Sequence, residues 1–388
     1  MTGILILNTG SSSLKFGLYR ASLEPEMLVD GQVDRIGLAA RLSVKSDAST
    51  FDQPVTAATH SEALAVVLKA LESHREGLEI VGIGHRIVHG GVHFTEPAVL
   101  TPSTIEALQK LCPLAPLHQP HNLAGVEMAR KAFPDAVQIG CFDTSFHRSH
   151  PWVNDTFALP RFFYDQGVRR YGFHGLSYDY ITGVLARDYP ELHQGRVVVA
   201  HLGNGASMCA IKAGRSIGST MGFTALDGLP MGTRCGQLDP GVVLYMMQQN
   251  GMSPEDVNNL LYTRSGLLGL SGQSSDMRSL LASENPQAAE AIDYYVFRAR
   301  REIGAMTAVL SGLDALVFCG GIGENAAVIR ERIVDGLDYL GLSVDQAQNQ
   351  ENAHDIGNGA TRLMVIPTDE ERIIARAVQA HLPSAPEA

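Results

Sequence analysis

Paired cysteines are missing from this sequence. Its five cysteines, Cys112, Cys141, Cys209, Cys235 and Cys319, are odd in number, widely spaced and never arranged as C-x-x-C. That removes a disulfide framework and a cysteine zinc site, and points to a reducing, cytoplasmic compartment. Positive charge is in deficit: 30 Lys and Arg against 41 Asp and Glu leave a net charge of −11, the wrong sign for a general binder of nucleic acid or anionic membranes. The N-terminal apolar run, Ile4 to Leu7, is far shorter than a signal-peptide core or a membrane span, and no basic segment precedes it. Low-complexity tracts are absent apart from a Pro/Ala tail after Leu382. With 45% hydrophobic and 18% charged residues over 388 positions, the chain is expected to fold into two domains with sizeable cores.

What is present is a set of glycine-rich polar turns at the ends of apolar runs. ILILNTGSSSLKFGLY, Ile4 to Tyr19, reads as a β-hairpin whose tip, with Gly10 at positive φ, offers amides, hydroxyls and Lys15 to a phosphate chain. RVVVAHLGNGASMCAIKAGR, Arg196 to Arg215, repeats that plan half a chain later. The self-match predicts a duplicated α/β unit, each half opening with a hairpin and continuing into helices. DALVFCGGIGENAAVIRERI adds a strand, a glycine turn and a helix, and Val29 to Ile36 and the run from Ile80 read as further strands. Helical patterns cover Ser61 to Ser73, Thr101 to Lys110 with Pro102 in its first turn, Pro254 to Tyr262 and Pro286 to Leu310. The pattern breaks at His150-Pro151, so residues 1–148 are expected as an N-terminal domain and 149–370 as a C-terminal one, with 371–388 packing back on the first.

Three tips, N-T-G-S-S-S-L-K, H-L-G-N-G-A-S and G-G-I-G-E-N, together suit the phosphates of a nucleotide. No Walker A pattern accompanies them, nor the H-R-D and D-F-G pieces of protein kinases. The loose dinucleotide match at Gly321-Ile-Gly323-Glu-Asn-Ala326 comes late in the chain, and the strand after it lacks the expected acidic end. Arginines stand among glycines in G-H-R-I-V-H-G-G (Arg86) and M-G-T-R-C-G (Arg234). There the backbone leaves room for a guanidinium to grip a carboxylate or phosphoryl group at two points. His85 and His89 form H-x-x-x-H, but strand alternation separates them from a helical metal pair. His174, in Y-G-F-H-G, has aromatic neighbours suited to a dry pocket. Asp143 and Glu370, at strand ends, are of the kind that hold Mg²⁺ directly or through water.

Taken in order across nearly the whole chain, N-T-G-S-S-S-L-K, G-H-R-I-V-H-G-G, F-D-T-S-F-H, R-R-Y-G-F-H-G, H-L-G-N-G, M-G-T-R, S-S-D-M-R, G-G-I-G-E-N and P-T-D-E-E resemble the acetate kinases of the acetokinase family. The resemblance implies two duplicated domains of the actin/Hsp70/sugar-kinase (ribonuclease H-like) ATPase type with a cleft between them, a homodimer, and reversible phosphoryl transfer between ATP and acetate. Carried over by position, Asn8 and Glu370 would serve Mg²⁺ (or Mn²⁺), Lys15 the ATP phosphates and Arg86 the substrate carboxylate. Asp143 would be the catalytic acidic residue, and His174 and Arg234 would stabilise the transition state. The nucleotide segments fall on His201, Leu202, Gly203, Asn204 and Gly205, on Asp276, Met277 and Arg278, and on Gly321, Ile322, Gly323, Glu324 and Asn325. Val88, Leu117 and Phe173 would line the acyl pocket.

Three positions depart from the family pattern: Ala225 for a proline that lines this pocket, Asp369 for an asparagine, and Cys235 for a serine beside the arginine. The first keeps propionate as an alternative acceptor, since one methylene is worth only about 1–3 kcal/mol. The second is expected to add negative charge near the metal, and the third to confer sensitivity to thiol reagents. Other readings weighed are a butyrate-type acyl kinase, a non-catalytic nucleotide-binding module and an NAD-dependent enzyme. For the main reading, a carboxylic acid is already ionised at neutral pH, so the barrier is repulsion between anions. Asp143 is therefore expected to position an arginine or a metal-bound water rather than to act as a base.

Overall fold

The computed structural model describes residues 1–10, 12–46, 49–72, 74, 77–116 and 118–383. The chain divides into two compact units, residues 1–145 with the segment from Asp369 onward, and residues 146–368. In the first unit β1 (Thr2–Thr9) and β2 (Leu14–Arg20) form a hairpin that sets Asn8 opposite Lys15. β3 (Glu26–Asp34), β4 (Arg41–Ser46) and β5 (Thr50–Pro54) extend it antiparallel on one side. On the other side β6 (Glu79–Ile87) and β8 (Val137–Phe142) join in parallel, with the two-residue β7 (Ala98–Val99) at the edge. In β1, Ile4 to Leu7 are buried without alternation, because both faces of the sheet are covered there.

One face takes the helix His60–Leu71, whose stripe Ala63, Leu64, Val67 and Leu71 packs on Leu5, Leu7, Leu14, Phe16 and Leu18. Thr59 caps that helix by accepting the Glu62 N–H. The other face takes the helix Glu370–His381 through Ile374, Ala375 and Val378. Glycines in β6 admit it. A Cβ on Gly84 would collide with Ile374 and lie 2.9 Å from both Ile6 and Val378.

In the second unit β9 (Arg196–Leu202), β10 (Ala206–Lys212) and β11 (Arg215–Ser219) run antiparallel, and β12 (Ala315–Cys319) and β13 (Arg362–Val365) add in parallel beyond β9. The order β11-β10-β9-β12-β13 has the same sequence of antiparallel and parallel pairings as β3-β2-β1-β6-β8. The duplication read from the two hairpins thus reappears as strand topology, and the fold is mixed α/β with one sheet per unit. The long helix, Pro286–Leu310, starts at an Asn285 cap and buries Ile292, Tyr295, Ala299 and Ile303 along one side.

Two local expectations are corrected. Gly10 is not among the glycines at positive φ; an added Cβ there would instead lie 2.8 Å from Ser13 Oγ, so the glycine supplies room rather than a left-handed turn. After β12 no separate turn intervenes: the helix Gly320–Asn325 begins at once, with Gly320 itself at φ +74.

The close docking at Gly84 gives a first test. Gly84→Ala should lose about 1–3 kcal/mol by overpacking, read as a lower urea midpoint. Gly183→Ala is the counterpart, since it lies in the helix Gly175–Asp188 with no atom within 4 Å of its added Cβ, and it should gain about 0.5–1 kcal/mol.

Candidate active site

In the first unit, the ends of two parallel strands and the start of a helix bring three expected residues together. Arg86, late in β6, donates from Nε to Asp143 Oδ1 (2.9 Å) and from Nη2 to Oδ2 (2.7 Å), and its Nη1 lies 3.3 Å from Glu370 Oε2. Burial alone would depress the Arg86 pKa, but the Asp143 and Glu370 carboxylates outweigh it and raise the value above its ordinary level. Asp143 is itself buried, and the two-point grip fixes the guanidinium plane. Its expected positioning of an arginine is therefore present as geometry. Asn8 and Lys15 face each other across the hairpin. Val88, one residue beyond β6, is buried and its N–H donates to Asn122 Oδ1. Leu117 lies outside the described residues.

Glu371 joins this cluster unannounced by any single-residue signal, although the Glu370-Glu371 doublet at a helix start was there to be read. Burial, and then repulsion from Glu370, push its carboxyl pKa up, against the pull of Lys15 and Arg86. Asp369 does not join. It caps the helix by accepting the Arg372 N–H and is paired with the Arg372 guanidinium at 2.9 Å, so its added charge is spent locally. His85 and His89 are likewise engaged: His85 Nε2 bonds Gln138 Oε1 at 2.7 Å, and His89 Nδ1 accepts the Gly91 N–H. Burial lowers the His85 pKa to about 4.

In the second unit, residues from five separate segments meet at the turn between β9 and β10. The turn is tight, with Gly203 N–H bonded to Gly205 O at 2.9 Å. A Cβ on Gly205 would lie 3.0 Å from His174 Nε2 and 3.1 Å from Arg234 Nη2, so both groups approach the bare backbone. His174 stacks on His201, with ring centroids 4.3 Å apart and planes at 20°. Gly232 seats its N–H on Asn204 O, and its missing side chain makes room for Asn204 Oδ1. Ser275, next to Asp276, lies against the same glycine. From Gly203 a Cβ would reach to 3.9 Å of the Gly321 amide nitrogen, which places the second and third glycine-rich tips side by side.

Other parts hold these groups still. Arg234 Nη1 donates to the Ala225 carbonyl at 2.7 Å, so the position that departs from the family pattern contributes its backbone. Gly266, at φ +60, fits where any Cβ would strike the Arg234 backbone. Glu324 accepts the N–H groups of Gly320 and Thr368, acting as a brace for its helix. Arg330, fully buried, donates to the carbonyls of Gly323 and Glu324 and to Asn349 and Asn352; desolvation lowers its pKa to about 10. Asp276 caps the helix Met277–Leu281 and pairs with the exposed Arg278, while Met277 is buried. Leu202 and Phe173 are buried, and the Phe173 carbonyl bonds His147 Nε2. The Cys235 thiol is pushed up to about 11 by burial, so little thiolate forms at neutral pH and the expected thiol sensitivity is not supported.

Sequence reasoning missed Ser177, Tyr178, Ser207 and Thr368. Ser207 Oγ bonds both His174 Nδ1 (2.9 Å) and the Tyr178 hydroxyl; Ser177 Oγ bonds His201 Nδ1 (2.8 Å) and Thr368 Oγ1 (2.9 Å). The available signal was a serine inside the otherwise apolar run of β10.

The family model described as the acetokinase family matches residues 3–376. The chain is similar to the acetate kinase of Methylocella silvestris, at 53% identity over 96% of each chain, and to that of Rhizobium meliloti, at 46% over the full length of both. Among solved structures it resembles a propionate kinase from Francisella tularensis (TM-score 0.92, 35% identity, 98% of this chain and 100% of that one) and the Porphyromonas gingivalis acetate kinase (TM-score 0.86, 35% identity, 98% and 99%).

Glu371 supplies the prediction of this section. Its raised folded-state pKa means that stability held at low pH is lost as pH climbs through the folded value, starting from the ordinary 4.5. Glu371→Gln cannot ionise, so its melting temperature should exceed the parent's at pH 7 and match it at pH 4. Equal curves at both pH values would contradict the assignment.

Proposed function

The chain belongs to the acetokinase family, and from that membership we propose that it moves a phosphoryl group reversibly between ATP and acetate, with acetyl phosphate and ADP as the other pair. The observation that carries the site reading is the meeting of His174 Nε2 and Arg234 Nη2 over Gly205. A guanidinium and an imidazole held on a side-chain-free turn can follow charge on a phosphoryl group as it passes, and such donors need no reorganisation at the moment of reaction.

Acetate arrives as an anion and needs no base. We assign Arg86 to its carboxylate and Asp143 to holding Arg86 in plane. By the family pattern we assign Lys15, the residues His201 to Gly205, Asp276 to Arg278 and Gly321 to Asn325 to the nucleotide, and Val88, Leu117 and Phe173 to the acyl group. Transfer is direct and in line, the carboxylate oxygen bonding to the γ-phosphorus as the bond to the ADP oxygen breaks.

For magnesium, the first unit offers hard oxygen donors, Glu370, Asp143 and the Asn8 amide. Among the described residues no group of three or more His, Cys, Asp or Glu side chains is arranged to hold a metal. That combination suits an ion bound by one or two protein ligands alongside water and phosphate oxygens. Glu370 and Asn8 are the residues we assign to it; when bound, it neutralises charge on the phosphates.

A homodimer is proposed on the helix Pro240–Gln248, which buries none of its residues although it carries Val242, Leu244 and Tyr245 exposed. An apolar helix left in water suggests a partner surface. The free cysteines suit a reducing cytoplasm, and among the described residues no helix is long and apolar enough to cross a membrane.

Acceptor choice is tested by kcat/KM for acetate, propionate and butyrate with ATP and Mg²⁺. Acetate should lead propionate by roughly 10–200-fold, the worth of a methylene; a lead for propionate would install the alternative, a propionate kinase. Arg234→Ala should lower kcat by about 10²–10³ with KM for both substrates nearly unchanged. A change confined to KM would remove Arg234 from the transition state.

A further inference from the structure

His174 stands in the left-handed region, φ 58 and ψ 25, immediately before the helix Gly175–Asp188. Left-handed backbone is costly for a residue with a Cβ, and such strain persists where surroundings over-determine it. Three contacts do so here. One turn into the helix, Tyr178 donates its N–H to the His174 carbonyl. Its side chain is fully buried, with Phe146 and His147 against the ring. Its hydroxyl and His174 Nδ1 both meet Ser207 Oγ, which is completely buried in β10. The opposite ring nitrogen, Nε2, is the one beside Gly205 and Arg234.

A neutral imidazole has one proton, and the bond made by one nitrogen decides which nitrogen carries it. Ser207 has a single hydroxyl proton shared between two neighbours. A phenol, with pKa near 10, is a better donor than an aliphatic alcohol, so Tyr178 donates to Ser207 and Ser207 donates onward to Nδ1. Protonating Nδ1 instead would turn that proton against the chain. In the neutral imidazole, the Ser207 hydroxyl then decides the tautomer.

We propose that Tyr178 and Ser207 are positioning residues that fix His174 as the Nε2–H tautomer, so that it can only donate a hydrogen bond at the Gly205 turn. This rests on the reading that His174 serves the phosphoryl group. His174 then acts as a fixed donor toward phosphoryl oxygens and takes no proton during transfer. Ser177 and Thr368 hold the stacked His201 by its own Nδ1, so both rings present Nε2 toward the glycine-rich turn.

The test uses the full-length protein labelled with ¹⁵N-histidine, with His174 signals assigned by their loss in His174→Asn. In the parent, His174 should show an unprotonated Nδ1 and a protonated Nε2. Tyr178→Phe keeps the buried ring and removes the donor, and Ser207→Ala removes only a hydroxyl, so at least one variant retains the fold. Each should shift both nitrogens toward mixed tautomers and lower kcat by about tenfold, the usual scale for an orienting partner, with KM for acetate and for ATP within twofold. Ser207→Thr, which retains a hydroxyl, should keep the parental spectrum and most of its kcat. A protonated Nδ1 in the parent, or parental spectra and kcat in both hydroxyl-deleting variants, would overturn the proposal. Failure of the parent to phosphorylate acetate would sink the functional reading instead, and the tautomer would still be read from the spectrum.

Discussion

The second unit is organised around a side chain that is not there. Because position 205 carries no Cβ, an imidazole nitrogen and a guanidinium nitrogen both come within about 3 Å of where it would have been. Any larger residue must displace one of them. The neighbouring parts follow from this constraint. Gly232 yields space to Asn204, so the loop before Arg234 can lie on the β9–β10 turn, and Gly266 yields space to that loop. His174 accepts a strained backbone to reach the same point. Backbone proximity of this order costs the protein glycines at positions where strands and loops would be stiffer without them.

The same strand order serves two different ends in the two units. In each, a hairpin and two parallel strands align their carboxyl ends, which is where loops can carry function while the strands stay buried. The first unit places acids there, with Arg86 held by Asp143 and Glu370, a cluster in which the charges are nearly balanced before any ligand arrives. The second places imidazoles and an arginine at its hairpin turn and a helix start beside it. Duplication supplied the scaffold, and divergence at the strand ends supplied the division of labour.

Much of this was legible in the sequence because it is local. Apolar runs around G-S-S-S and G-N-G became hairpins in the expected places, and Pro286 to Leu310 became one helix with its predicted ends. Arg86 and Arg234 stood out by their glycine neighbours and His174 by its aromatic ones, since close packing around a side chain leaves a mark in the letters. Gly10 shows the limit of that inference: its role is space beside Ser13, which depends on how the turn closes. Ser207, Tyr178, Ser177 and Thr368 left no such mark. A hydroxyl that orients an imidazole is defined by partners 24 to 191 residues away, and single letters do not encode that pairing. The three family departures were visible, but their meaning was not. Asp369 became a helix cap, Cys235 a thiol with little thiolate, and Ala225 a carbonyl that accepts from Arg234.

Three arginines illustrate how the choice of partner decides what a cation can do. Arg330 is bonded to carbonyls and asparagines and is fully enclosed; its work is to brace the end of the helix Gly320–Asn325, and its burial makes it a less willing cation. Arg86 faces two carboxylates, which hold its plane and offset its charge. Arg234 is steadied by a neutral carbonyl from Ala225. That bond fixes direction without adding a negative charge of its own. The atom of residue 225 that meets Arg234 is its backbone oxygen, which alanine and proline both carry.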